Sequence, residues 1–155
     1  MIIMKNIHVA NKGIKSVWEA DILQKGTGLT RGGSIFLEEM DSYTIDGQLF
    51  FLNHVQMDGG CIYLLDCHNI TIHGNFFLLN KAKWGGAIYL ERCADVIIER
   101  NTFIANFAVR DGGAISLSNC RNITLRSNRF GFNVALRSGL KVDIHNCQKV
   151  TCDGL

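Results

Sequence analysis

Glycine pairs recur along this chain at a nearly fixed interval, and no other feature limits its fold so tightly. Gly32-Gly33, Gly59-Gly60, Gly85-Gly86 and Gly112-Gly113 are followed by a single Gly139, so successive starts differ by 27, 26, 27 and 27 residues. The one-residue deficit lies between Ala82 and Gly85, where only Lys83 and Trp84 stand; Val109, Arg110 and Asp111 fill the same place one period later. A period of this length marks a stack of similar coils, each too small to bury an apolar face alone.

With that register fixed, other residues fall into files. Met40, Cys67, Cys93, Cys120 and Cys147 form one, and Phe50, Phe77, Phe103 and Phe130 another. Asn53, Asn80, Asn106 and Asn133 make a third, with Val55, Ala82, Ala108 and Ala135 two residues further on. Each period reads as a short strand after the glycines, a turn at the cysteine and a second strand. A polar turn and a Phe-x-x-Asn-x-Ala segment then close the loop.

The apolar pattern alternates with period two in short pieces, as in Ile88-Tyr89-Leu90 and Ile123-Thr124-Leu125-Arg126. A helical solenoid needs runs of roughly ten residues or more with a 3.6-residue period. Equivalent strands of neighbouring coils therefore pair in parallel, about 4.8 Å apart, and the usual crossover hand makes the winding right-handed. The chain is expected to be an all-β, right-handed parallel β-helix of about five coils of 26 or 27 residues, with three short strands per coil. One coil buries five apolar side chains such as Ile88, Leu90, Val96, Ile98 and Phe103, at roughly 1.5–3 kcal/mol each. Ordering its backbone costs about 1–2 kcal/mol per residue, so a coil holds its shape only against neighbours.

Residues 32–155 read as the repeats and residues 1–31 as a partial N-terminal coil plus a loop or short helix, within one domain. Asn6-Ile7-His8-Val9 aligns with Asn69-Ile70-Thr71-Ile72, which leaves roughly ten extra residues around Val17 to Leu29. Both ends fall in mid-coil, which leads us to expect a fragment with missing flanking domains, end-to-end self-association, or an end covered by a partner. Residues 1–13 do not read as a signal peptide, because Lys5 and Asn6 interrupt a short apolar stretch. As written, the sequence carries no export signal and no run near the roughly 20 residues of a membrane span. Sixteen Lys and Arg against 14 Asp and Glu give a dispersed net charge of +2, with no nucleic-acid footprint and no polybasic membrane surface.

The inward files call for packing rather than chemistry. Zinc sites gather ligands in convergent sets, whereas these cysteines come one from each coil, so free thiols filling a tight corner are expected, with no metal and no cofactor. Cys61 and Cys152 take an Ala-like and a Leu-like position. Stacked asparagines hydrogen-bond along the stack and satisfy turn backbone.

Function is expected on three outward files. Phe36, Tyr63 and Tyr89, followed by Ser116 and Asp143, offer stacked aromatics as a platform for a sugar or peptide, though aromatic residues also simply suit β surfaces. Thr44, Thr71, Ile97, Thr124 and Thr151 form an interrupted threonine array of the kind an ice-binding face shows, and β propensity accounts for it. Asp46, His73, Glu99, Arg126 and Asp153 place a histidine between carboxylates. His73 and Glu99 are the weak acid/base candidates there, and a surface charge ladder is the simpler account. Glu38 and Glu91 share a file but are separated by Leu65, and no face is expected to gather Asp and Glu from neighbouring coils.

The Gly-Gly-Ala-Ile motifs (Gly85 to Ile88 and Gly112 to Ile115) and the four Phe-x-x-Asn motifs resemble the repeat of the chlamydial polymorphic outer membrane proteins over roughly residues 32 to 147. They also look like adhesin-like repeats of archaeal surface proteins, and the same grammar occurs in the wider pectate-lyase-like superfamily. The resemblance implies a β-helix with a non-catalytic binding role, surface-exposed or secreted if the chain is a piece of an adhesin. Its partners would be a glycan or a host or cell-surface protein. A small lyase, hydrolase or epimerase-like enzyme acting on carbohydrate is the alternative.

Overall fold

The computed structural model describes residues 31–153, together with the strands Ile7–Val9 and Ile22–Gln24. Four parallel sheets run along the stack. The first takes Ile7–Val9, Ile35–Glu38, Ile62–Leu65, Ile88–Glu91, Ile115–Ser118 and Val142–His145. The second takes Asp41–Asp46, His68–His73, Ala94–Glu99, Arg121–Arg126 and Gln148–Cys152, and the third runs from Ile22–Gln24 through Leu49–Phe51, Phe76–Leu78 and Thr102–Ile104 to Arg129–Gly131. The chain is thus an all-β parallel β-helix of about four turns, as the glycine interval required.

Two details differ from expectation. The Ala column closes each coil through a short fourth sheet of Lys81–Ala82, Phe107–Ala108 and Val134–Ala135, because its backbone also finds ladder partners one coil away. Ile7–Val9 pairs with Ile35, Phe36 and Leu37 in the first sheet, so it is not the counterpart of Ile70–Ile72 in the second. Three apolar-polar-apolar residues fit either strand by pattern alone, and the register of the stack decides. Of the segment around 17–29, expected as loop or short helix, only Ile22–Gln24 lies within the described residues, where it pairs with Leu49–Phe51.

The glycine pairs serve two separate needs. Gly85 has φ +60°, and a Cβ there would lie 2.1 Å from the Ile88 carbonyl oxygen. Gly86 has no such dihedral, but its Cβ would lie 2.1 Å from the oxygen of Gly113 in the next coil. Gly113 in turn faces Leu140, and Leu140, with no described coil beyond it, is 61% exposed and need not be glycine.

Inside, Ile88, Leu90, Val96, Ile98 and Phe103 are all fully buried. The phenylalanine rings stack at centroid separations of 4.7, 4.6 and 5.1 Å. Asn80, Asn106 and Asn133 of the expected ladder each take two donors on the oxygen: Asn80 Oδ1 accepts from the Asn53 backbone N–H at 2.9 Å and from Asn53 Nδ2 at 3.0 Å, while its own Nδ2 donates to the Phe50 carbonyl. A second ladder, Gln48 to Asn75, Asn101 and Asn128, repeats the device at the turn before the phenylalanine. The cysteines are free thiols, and Cys67, Cys93 and Cys120 are buried with their Sγ donating to backbone carbonyls. Contact with Cys120 and Cys67, then burial, pushes the Cys93 thiol up, so it stays a packed thiol.

Candidate binding face

Of the outward files, the one on the first sheet carries the most structure. Phe36, Tyr63, Tyr89, Ser116 and Asp143 are Cα partners in successive strands, as the register required. Phe36 and Tyr63 stack at 5.2 Å, and Tyr63 and Tyr89 at 5.5 Å with rings 2° from parallel.

The face is unevenly open, which corrects the picture of three equivalent platform rings. Tyr63 is fully buried although it points away from the core. Its hydroxyl donates to Glu91 Oε2 at 2.5 Å, and the Arg31 guanidinium lies 5.2 Å from its ring centroid. Burial and the Glu91 bond push the Tyr63 phenol well up, so it remains a neutral donor. Phe36 and Tyr89 are half-buried, and Tyr89 is the aromatic next to the small residue of the file, Ser116.

Beyond Tyr89 the surface opens into a cleft of about 390 Å³. Tyr89 and Trp84 supply its aromatic lining, Asp111, Arg137 and Asp143 its charges, so two carboxylates of neighbouring coils do share a face, contrary to expectation, because the residue before the glycine pair and the first strand border the same cleft. Ser116, Ser118 and Ser138 add hydroxyls, with Arg110 and His145 completing it. Arg110 and Lys83 sit 5.3 and 4.4 Å from the Trp84 ring centroid, so this ring holds two cations. Trp84 stands immediately before its glycine pair, at the bridge position that Asp58 fills one coil earlier.

Two aspartates equivalent in the stack, two coils apart, differ in how they are satisfied. Asp58 is 5% exposed and accepts a hydrogen bond from Arg31 Nε at 2.9 Å. Burial, only partly offset by that bond, raises its pKa above 3.8. Asp111 is also 5% exposed, but its Oδ1 makes no hydrogen bond; Arg137 Nε stands 3.1 Å away as an ion-pair partner only.

A second cleft, of about 420 Å³, opens beside the cysteine corner between Arg92, Arg121 and Asn119. No Phe, Tyr or Trp lines it, and Arg92 is already held by Asp66 at 2.8 Å and by Glu91.

The other outward files lie on the second sheet in the expected register, with Thr44, Thr71, Ile97, Thr124 and Thr151 side by side. His73 is the partner of Asp46 and Glu99, and its Nδ1 lies 2.8 Å from Asp46 Oδ1. Glu99 accepts from Arg126, which holds its carboxyl below the usual range, opposite to what a proton donor needs. Among the described residues no group of three or more His, Cys, Asp or Glu side chains is placed to hold a metal ion. No helix among them is long and apolar enough to cross a membrane.

Sequence reasoning missed Trp84, Asp111 and Arg137. Trp84 and Asp111 are the equivalent residues before two glycine pairs, in the segment where the repeat is irregular, and that irregularity does not reveal the cleft.

A coiled parallel stack with one partly open outward face defines a solenoid scaffold. The chain belongs to the right-handed β-helix family: the family described as right handed beta helix region matches residues 4–152. Neither a curated protein nor a solved structure matches it.

Proposed function

We propose that this chain is a non-catalytic β-helix scaffold of surface or adhesin type, holding a glycan or a protein on the outward face of its first sheet. The cleft beside Tyr89 carries this reading. An aromatic ring next to charged and hydroxyl groups is what recognition of an amphipathic ligand requires: a flat apolar surface for stacking and polar groups that fix orientation. The likeness of the Gly-Gly-Ala-Ile and Phe-x-x-Asn motifs to chlamydial polymorphic outer membrane protein repeats points to the same role.

The test is retention on printed arrays of oligosaccharides and surface proteins. Tyr89→Ala is expected to lower retention at least tenfold with the melting temperature only modestly reduced. Retention unchanged in this variant would remove the face from consideration. Tyr63 does not serve as the probe, since its ring and hydroxyl are part of the packed structure.

One observation favours a second reading, a small carbohydrate-active enzyme. Asp111, Asp143 and His145 line one cleft, where acid/base chemistry on a sugar has its residue types together. Turnover across a polysaccharide panel that vanishes in Asp111→Asn and Asp143→Asn would favour it over the scaffold. Turnover depending instead on His73 or Glu99 would move the chemistry to the second sheet.

A further inference from the structure

We infer that the end of the stack formed by the last coil docks a second copy of this chain in a closed two-fold dimer, with Gln148–Cys152 pairing antiparallel to its own counterpart. Gln148–Cys152 is the outermost strand of the second sheet and Val142–His145 an outermost strand of the first, so each has an edge without a ladder partner among the described residues. The core is bared there too: Leu90 and Leu117 are fully buried, whereas Ile144, next in their file, is 45% exposed. Phe132, Leu136 and Leu140 of the same coil add exposed apolar surface.

Leu140 decides how an occupant can sit. A Cβ at Gly33, Gly60, Gly86 or Gly113 would stand 2.3, 2.0, 2.1 or 2.2 Å from the carbonyl oxygen of the equivalent residue one coil on. Leu140 holds the same place and carries a Cβ, so a further coil in the same parallel register collides with it, whichever chain supplies that coil. Head-to-tail stacking of copies is thereby disfavoured, while a self-complementary, antiparallel contact does not repeat the register that clashes.

The edge strand is complementary to itself in one alignment. Val150 and Cys152 pack against the core, and Lys149, Thr151 and Asp153 are exposed. Keeping inward residues opposite inward ones requires the two-fold axis to pass through a residue. With the axis at Thr151, Val150 faces the second copy's Cys152, and Lys149 faces its Asp153, twice over by symmetry. An axis at Val150 or Cys152 sets Lys149 or Asp153 opposite Thr151 instead. Lys149 has φ 53°, so its flexible side chain, and not a ladder bond, makes the contact. Neither Lys149 nor Asp153 is in an ion pair among the described residues.

The experiment is sedimentation equilibrium of the full chain over a wide concentration range, on wild type, Lys149→Asp, Asp153→Lys and the double exchange, with melting temperatures in parallel. Expected is a wild-type dimer, about tenfold weaker association in each single variant, where like charges face each other, and recovery in the double exchange. If one single variant fails to fold, the other and the double exchange decide. A wild type that stays monomeric overturns the inference and leaves Lys149 as a guard of the sheet edge. An open series of larger assemblies overturns it in favour of head-to-tail stacking. A dimer indifferent to these charges overturns it by placing the contact elsewhere.

Discussion

The coils bearing Phe36 and Tyr63 and those bearing Ser116 and Asp143 use the same positions of one sheet, in one register, and end in different states. In the first pair the space outside the sheet is filled: rings stack, the Tyr63 hydroxyl is bonded to Glu91, and Arg31 closes on both Asp58 and the tyrosine ring. In the second, serine replaces the ring, the aspartate before the glycine pair lacks a hydrogen bond on Oδ1, and a cleft remains. The backbone is the same device in both halves. Side-chain size and the placing of two arginines separate a packed surface from a receptive one.

The largest effect expected from this difference is on stability. Tyr63→Ala removes a fully buried ring and the donor to Glu91 Oε2, at a cost of about 3–5 kcal/mol, whereas half-buried Tyr89→Ala costs about 2 kcal/mol. Urea denaturation of the two variants measures this, and equal losses would break the comparison. Next in size is the arginine pair. Arg31→Gln leaves buried Asp58 without its hydrogen-bonded cation and costs about 1–3 kcal/mol. Arg137→Gln costs less, because the Arg137 contact with Asp111 is not a hydrogen bond.

That second prediction has a pH signature. The Asp58 pKa is raised in the folded state, chiefly by burial, so its share of stability is full below about 3.8 and is lost as pH rises through the higher folded value. Removing Arg31 raises it further, so the Arg31→Gln deficit is largest at neutral pH and shrinks toward pH 3. A deficit that does not vary with pH would show that Arg31 acts through packing on Tyr63 instead. Smallest is the half-buried Glu99, whose pKa Arg126 lowers: its contribution holds above the ordinary carboxylate range and fades as pH falls. Arg126→Gln should move the midpoint of thermal unfolding by about a degree at neutral pH, and by less in acid.

The fold was legible because coil stacking copies one steric problem many times. The second glycine of each pair must let a carbonyl of the next coil approach, and the cysteine corner, the phenylalanine stack and the asparagine ladder repeat for similar reasons, so each left a file in the sequence. The second ladder escaped notice because its first member is Gln48 and its turn residues vary, although Asn75, Asn101 and Asn128 keep the interval. The cleft was not legible, since it is made by departures from the repeat. Trp84 stands where the flanking coils carry aspartate, Ser116 where the preceding coils carry a ring, and Asp111 meets an arginine from the following side of the stack where Asp58 meets one from the preceding side. Outward orientation was read correctly for Tyr63, but alternation reports direction and not coverage, which depends on Arg31 and Glu91 from other coils.

Ser116→Tyr tests the central claim most directly, because it copies the filled half of the face onto the open half. A folded protein is expected, with the aromatic stack extended past Tyr89 and array retention reduced tenfold or more. Full retention of the same ligands by the folded variant would contradict it and place binding elsewhere on the coil.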